Sequence, residues 1–281
     1  MISRLVLAGA AAVVGYGVTA ATMTLVKHAP AELRTRFDRV NHVGRTVTLS
    51  EGPAVALGLT SAAALVPAGP ARLGAVASVA AAGAFGAIDD FGESGSSKGL
   101  RGHLGALARG EVTTGALKVI GIPVASVLSA AVALEPRPLA GSAFAGRCAD
   151  SVLAGGVIAG TANLFNLLDL RPGRALKAGA LVLALGTTRT PATSVLAGAA
   201  AGAIAAALPD DLAGRAMLGD TGANALGALL GARIALGGAD RTRLAAWLAV
   251  LAGLTLASEK VSFTRVIENT PVLRDLDAWG R

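Results

Sequence analysis

Nine apolar segments divide this chain. Of its 281 residues, 53% are hydrophobic and only 15% are charged, whereas about a quarter of the residues of a soluble domain are charged. A helix can cross a bilayer because its backbone hydrogen bonds are internal, and crossing takes about 20 apolar residues. The sequence therefore predicts an all-α, multi-span membrane protein with about nine transmembrane helices (eight to ten). The segments are 2–26, 53–65, 73–88, 112–134, 151–168, 175–185, 195–208, 223–236 and 244–257.

Residues 1–257 are predicted to form one helical membrane domain, and residues 258–281 a mobile, cytoplasmic, interfacial tail. The first apolar segment follows Arg4 in the manner of a signal peptide, but it is long for one, and eight more segments follow. We therefore expect it to remain as a helix. In the tail, apolar residues and Trp279 predict a short amphipathic helix at the level of the lipid headgroups, interrupted or started by Pro271.

The distribution of Lys and Arg predicts the orientation of the spans. With nine spans, the loops 27–52, 89–111, 169–174 and 209–222 share one side with the tail. Including Lys177 at the start of the next helix, that side carries 16 basic residues, whereas the other carries seven. The positive-inside rule makes the first side cytoplasmic and the N-terminus external. The predicted location is the plasma membrane, and these basic loops explain the net charge of +7 without nucleic acid as a partner.

Four acidic residues are the strongest functional signal. Asp89 and Asp90 end one apolar segment, Asp169 ends another and Asp220 opens a third. An ionisable residue at membrane depth is costly, which favours a functional role. Because the predicted topology gathers all four on the cytoplasmic side, they indicate a divalent metal and a phosphate-bearing substrate. Cys148 is the only cysteine, which excludes an internal disulfide or a cysteine-based metal cluster.

The first acidic pair leads into a Gly/Ser-rich loop with three further candidates, Lys98, Arg101 and His103. Adjacent carboxylates can supply a magnesium ligand and a base or orienting group, and the cationic residues can hold a diphosphate. The simpler interpretation is a helix end with solvated acids and a flexible basic loop.

Three polar residues, Asn163, Asn166 and Asp169, follow one another at a spacing of three. On a helix this spacing puts them on one face, where they need another helix, water or a ligand as partner. Hydrogen bonds between helices are the structural alternative. Three basic residues follow at once and suit phosphate or anionic lipid headgroups: Arg171, Arg174 and Lys177.

Two shorter motifs complete the set. Asp220 and Thr221 lie between glycines at a predicted helix start, where free backbone N–H groups favour anions and where plain N-capping is the alternative. The polar stretch 41–54 contains Asn41 and Arg45, which are candidate ligand-binding residues in an otherwise ordinary loop.

In this order, the motifs "DD", "NxxNxxD" and "GDTG" resemble the polyprenyl-phosphate N-acetylhexosamine-1-phosphate transferase family (glycosyltransferase family 4), which includes the pentapeptide transferases of peptidoglycan synthesis. The resemblance covers residues 40–235 or so. It implies a multi-span helical enzyme that transfers a sugar 1-phosphate from a UDP-sugar to polyprenyl phosphate at a cytoplasmic site and releases UMP. It also implies Mg²⁺, with Mn²⁺ as an alternative, a cell-wall or surface-glycan product, and a chain compatible with a homodimer.

Position by position, the resemblance makes Asp89, Asp90 and Asp169 catalytic, with one of the pair deprotonating or orienting the lipid phosphate. It makes Asp220, together with Asp89, the metal-binding acids. The proposed substrate-binding residues are Asn163, Asn166, Lys98, Arg101, His103, Asn41 and Arg45.

The chain also departs from the family. No histidine follows His103, whereas the pentapeptide transferases carry a histidine-rich loop near the C-terminal end, and "LRPG" replaces the usual continuation after the Asn motif. A family member that binds polyprenyl phosphate or a cell-wall precursor without turnover is therefore an alternative. A transporter is a second alternative, but acids at helix ends fit it less well than acids at the midplane.

Overall fold

Each of the nine apolar segments contains a helix in the computed structural model, which describes residues 2–41, 44–92, 105, 109–110, 113–134, 143–186, 189–238 and 240–281. A short 3₁₀ turn at Thr35–Phe37 and two strands, β1 (Asp38–Val40) and β2 (Thr46–Thr48), lie between the second and third helices. The helices are α1 (Ile2–Lys27), α2 (Ala31–Arg34), α3 (Glu51–Ala63), α4 (Pro70–Phe91), α5 (Thr114–Ala133), α6 (Ala143–Leu168), α7 (Arg174–Leu185), α8 (Pro191–Leu212), α9 (Gly219–Ala235), α10 (Arg241–Ser258), α11 (Phe263–Asn269) and α12 (Pro271–Ala278).

Five of the described helices are long and apolar enough to cross a membrane, namely α1, α4, α5, α6 and α8. The number is six if α10 and α11, which meet at a bend of 92°, form one span. Large apolar side chains such as Val13, Val124 and Leu128 are exposed on these helices, as lipid-facing residues would be. The prediction of a helical membrane protein is confirmed at this level, while the nine spans and their orientation stay predictions.

Helix α9 forms the centre of the bundle. Nearly all of its residues are buried, and it packs against α4, α6, α3 and α8. Helices α3 and α7 have only 13 and 12 residues, which corresponds to roughly 20 Å of helix. They are therefore too short to cross a bilayer upright, although the sequence counted both as spans.

The predicted loop 41–54 contains the turn and second strand of a β-hairpin and the start of α3. The all-α prediction therefore misses a small sheet. Strands β1 and β2 pair antiparallel. The turn is closed by Asn41, whose backbone N–H donates to the carbonyl of Arg45 at 2.9 Å and whose Oδ1 accepts from the Arg45 N–H at 3.0 Å. Thr48 exchanges backbone hydrogen bonds with Arg215 and Met217 at 3.1 and 3.0 Å. The hairpin is therefore attached directly in front of α9.

Helices α1 and α8 pack closely through glycines. Gly198 and Gly202 of α8 face the backbone of Ala8 and Ala12, and a Cβ at either glycine would overlap a carbonyl oxygen of α1. Small residues at this spacing allow membrane helices to approach until their backbones touch. The many alanines and glycines of the chain are thus used for packing between helices.

We expect Gly202→Ala to destabilise the protein by about 1–3 kcal/mol, because the added methyl group overpacks the contact with Ala12. Thermal unfolding in detergent micelles measures the effect. Gly17→Ala is the matched control, since Gly17 lies on α1 with no atom within 4 Å of a Cβ at that position. An equal loss of stability in both variants would contradict the packing argument.

Candidate functional site

The carboxylate of Asp90 caps the N-terminus of the central helix α9. Its Oδ1 accepts the backbone N–H of Asp220 at 3.0 Å, and its Oδ2 accepts the backbone N–H and the hydroxyl of Thr221 at 2.8 and 2.6 Å. A carboxylate at this end of a helix satisfies free N–H groups and interacts favourably with the helix dipole. Asp90 thus caps α9 from the end of α4, so the cap comes from neither Asp220 nor Thr221.

The capping contact brings Asp89 and Asp220 together around one cation. Lys118 of α5 donates from Nζ to Oδ2 of Asp89 at 2.5 Å and also to Oδ2 of Asp220. All three side chains are mostly shielded from solvent, with exposed fractions of 17 to 23%. Two carboxylates close together repel each other, and the ammonium between them offsets that repulsion.

Asp169 completes the group of four acids from the other side of the α9 N-terminus. It lies just beyond α6 and accepts a hydrogen bond from the backbone N–H of Gly219. Gly219 has φ +57°, and a side chain there would press against both carboxylate oxygens of Asp90, so glycine is required. The structure therefore brings all four predicted acids to one end of the bundle.

Burial raises the pKa of the Asp169 carboxyl well above its ordinary value, and the nearby carboxylates of Asp211 and Asp220 raise it further. The Gly219 N–H acts in the opposite direction but does not compensate. The Oδ2 atom of Asp169 is fully enclosed and has no hydrogen-bond partner among the described residues.

Two cavities flank these acids. One of about 220 Å³, the inner cavity, is a partly open cleft between α5, α6 and α10 and is lined by Lys118, Asn163, Asn166, Asn224, Thr255 and apolar residues of α5 and α6. The other, of about 260 Å³, lies on the side of the hairpin. Its polar lining residues are Arg39, Asn41, Asp169, Arg171 and Asp211.

The predicted substrate-binding residues are divided between these cavities. Asn163 and Asn166 line the inner cavity, where Asn163 also donates to the hydroxyl of Thr255 at 3.0 Å. This is the bond between helices that the sequence left open as an alternative. Asn41 lines the outer cavity, whereas Arg45 is exposed at the hairpin turn.

Three other predicted substrate-binding residues, Lys98, Arg101 and His103, lie outside the described residues. The basic residues that follow the Asn motif are described, and each contacts the C-terminal tail. Arg174 and Lys177 bind Asp277, and Arg171 pairs with Glu268 at 3.4 Å.

Several residues of this region were not predicted from the sequence. Lys118 lies inside a span and was counted only as part of it. Glu51 and Asp211 are 0% and 1% exposed, and both oxygens of Glu51 and the Oδ2 of Asp211 lack a hydrogen-bond partner among the described residues. Both acids adjoin apolar segments, so the criterion that selected Asp89 would have found them. The amide of Asn224, one turn after Asp220, gave no comparable signal.

The donor set at Asp89 and Asp220 fits a magnesium ion. Within the described ranges, no three His, Cys, Asp or Glu side chains are arranged to hold one ion. Magnesium, however, is usually bound by one or two carboxylates, with waters and substrate phosphates as its remaining ligands. Two carboxylates that already converge on one cation, the Lys118 ammonium, satisfy that requirement.

Searches with this chain found no matching family model, curated protein or solved structure.

We expect Asp169→Asn to raise the unfolding temperature at pH 8. The folded-state pKa of Asp169 is raised, so folding opposes its ionisation and the native chain loses stability as the pH rises through that pKa. The asparagine carries no charge and can still accept the Gly219 N–H. The advantage of the variant should shrink as the pH falls toward about 3.9, the ordinary pKa of aspartic acid.

Thermal unfolding of the detergent-solubilised protein across this pH range measures the effect. Asp275→Asn is the control, because the Asp275 side chain is 70% exposed and its replacement should give no pH-dependent gain. A difference for Asp169→Asn that stays constant with pH would contradict the argument.

Proposed function

We propose that this protein transfers an N-acetylhexosamine 1-phosphate from a UDP-sugar to polyprenyl phosphate, giving a lipid-linked diphosphosugar and UMP. One observation carries the proposal: Lys118 and two carboxylates, Asp89 and Asp220, meet at the N-terminus of a buried helix. Lys118 also lines the inner cavity, and Asp169 at the same helix end lines the outer one. A reaction between a membrane-bound acceptor and a water-soluble donor needs charged groups at such a boundary.

The outer cavity suits the UDP-sugar. It is lined by Arg39, Asn41 and Arg171, which offer guanidinium and amide groups to a diphosphate or a uracil. The guanidinium of Arg39 also donates to the carbonyl of Asp90 at 2.9 Å and lies over the ring of Phe91. Binding of the donor to Arg39 would therefore act directly on the end of α4, which carries Asp89 and Asp90.

The inner cavity suits the phosphate of the lipid acceptor. The Lys118 ammonium and the amides of Asn163 and Asn166 are polar groups in a cavity whose other lining residues are mostly apolar. The helices around them consist largely of alanine, glycine and branched aliphatic residues, which are compatible with an isoprenoid chain. This arrangement would hold the acceptor phosphate next to Asp89.

In the proposed reaction, an oxygen of the lipid phosphate attacks the β-phosphorus of the UDP-sugar, and the bond between the α- and β-phosphates breaks to release UMP. Phosphoryl transfer depends mainly on positioning and on neutralising charge. Asp220 and Asp89 would hold Mg²⁺, or alternatively Mn²⁺, which supplies neutralisation of the diphosphate charge when bound. Lys118 would bind phosphate oxygens, Asp89 would orient or deprotonate the acceptor, and Asp90 would keep α9 in place.

The site is proposed to face the cytoplasm at the plasma membrane, where the product would enter cell-wall or surface-glycan synthesis. A homodimer is compatible with this role. A family member that binds lipid phosphate without turnover is the second candidate, because Lys118 already pairs with the carboxylates that a metal would use. The transporter alternative has less support, since the acids lie at helix ends at one end of the bundle.

We expect UMP release from purified protein to require undecaprenyl phosphate and Mg²⁺, and to stop with EDTA. A panel of UDP-N-acetylhexosamines, including the muramoyl-pentapeptide form, identifies the donor. Asp220→Asn should lower the rate about 100-fold or more, because a charged group that acts on the transition state is lost. The exposed Asp275→Asn serves as the matched control and should keep the full rate. Lipid phosphate binding without release from any donor would support the non-catalytic candidate.

We expect Lys118→Met to abolish release and to weaken binding of the lipid phosphate, whereas Lys118→Arg should retain part of both functions. The arginine keeps the positive charge between Asp89 and Asp220 but differs in shape and hydration. The rate of UMP release measures the first effect, and a binding assay with radiolabelled lipid phosphate measures the second. Lys260→Met, at an exposed lysine, is the matched control, and full activity of Lys118→Met would contradict the assignment.

A further inference from the structure

The C-terminal segment leaves the bundle at a right angle. Helix α10 packs along α6, which is one of the membrane-length helices. Its outer side chains Trp247, Val250 and Leu256 are exposed and apolar, as expected next to lipid. The bend of 92° between α10 and α11 then directs the chain across the axis of the bundle. If α10 lies along the spans, the segment after it runs parallel to the membrane surface.

Helix α12 is bound to the protein through its polar groups. Arg174, only 5% exposed, donates from Nε and Nη2 to the two carboxylate oxygens of Asp277 at 2.8 and 3.0 Å. Lys177 donates to the backbone carbonyls of Leu276 and Trp279 at 3.0 and 3.1 Å. A two-point arginine–carboxylate pair fixes orientation as well as position. The helix therefore cannot rotate freely about its own axis.

Another side of α12 is apolar and exposed. Val272, Leu273 and Leu276 lie within one arc of the helix, with exposed fractions of 69%, 42% and 56%, and Trp279, 73% exposed, follows directly after the helix end. Residues at this spacing lie on one face of a helix. An exposed apolar face that ends in tryptophan is typical of helices that lie in the interface of a bilayer.

We propose that α12 lies flat on the lipid surface, with its apolar face among the headgroups and acyl-chain ends, and that Arg174 and Lys177 hold it in that orientation. The bilayer is the occupant that the structure favours, because the exposed face continues from a lipid-facing helix through a right-angle bend. This role goes beyond the proposed transfer reaction and does not depend on it. It also explains why the basic residues after the Asn motif bind the tail.

The position of Trp279 tests the proposal in full-length protein reconstituted in phosphatidylcholine nanodiscs. The chain has two tryptophans, so Trp247→Phe leaves Trp279 as the only fluorophore. Lipids brominated near the glycerol end of the acyl chain should quench its emission strongly, and lipids brominated near the chain middle should quench it less. Emission that neither lipid quenches would overturn the proposal. This holds even if the emission is blue-shifted, because contact with a second protein copy would also shift it.

Two further variants separate lipid contact from folding. Trp279→Phe leaves Trp247, and quenching of that residue by the same lipids verifies that the bromines reach the outer face of α10. In the Trp247→Phe background, Val272→Glu with Leu276→Glu should abolish quenching of Trp279 and leave the thermal transition in place, because both side chains are exposed. Unchanged quenching in this variant would contradict an interfacial role for the apolar face.

Discussion

The contact between the Asp90 carboxylate and the first N–H groups of α9 determines the geometry of the whole site. Helix α9 is almost completely buried, so its free N–H groups have little access to water and need a partner from the protein. Asp90 provides it from the end of α4. Because Asp89 adjoins the cap and Asp220 adjoins the capped end, the same contact places these two carboxylates side by side. Lys118 then makes that approach possible.

The acids of this region act against stability in an otherwise apolar bundle. Glu51, Asp169 and Asp211 all have buried carboxylate oxygens that lack a partner within the part of the chain described by the structure. Burying such groups costs free energy unless they are protonated or paired. A fold that packs alanine and glycine so closely elsewhere could accommodate apolar residues at these positions. Asp169 and Asp211 line the outer cavity, and buried acids beside a cavity favour a functional role over a structural one.

Sequence periodicity and segment length were sufficient to predict the helices, because an apolar run in this chain has few alternatives to a helix. They also gathered Asp89, Asp90, Asp169 and Asp220 at one end, since each adjoins an apolar run. The hairpin was not predictable in this way. Its strands have three residues each, too few for a periodic signal, and their partner segment near Met217 is about 170 residues away in the chain. Lys118 was missed because a single lysine inside a span gives no indication of which acids it meets.

The net charge of the site distinguishes a transferase from a protein that only binds lipid phosphate. When Asp89 and Asp220 are both ionised, the single Lys118 ammonium leaves an excess negative charge beside it, and that charge would repel a diphosphate donor. Donor binding at this place therefore requires an additional cation, and by linkage the donor must strengthen binding of that cation to the same extent. A lipid phosphate in the inner cavity would depend less on the additional cation, because its contacts would be Lys118 and neutral amides. Cation binding that strengthens donor binding is therefore expected of a transferase and not of a protein that only binds lipid phosphate.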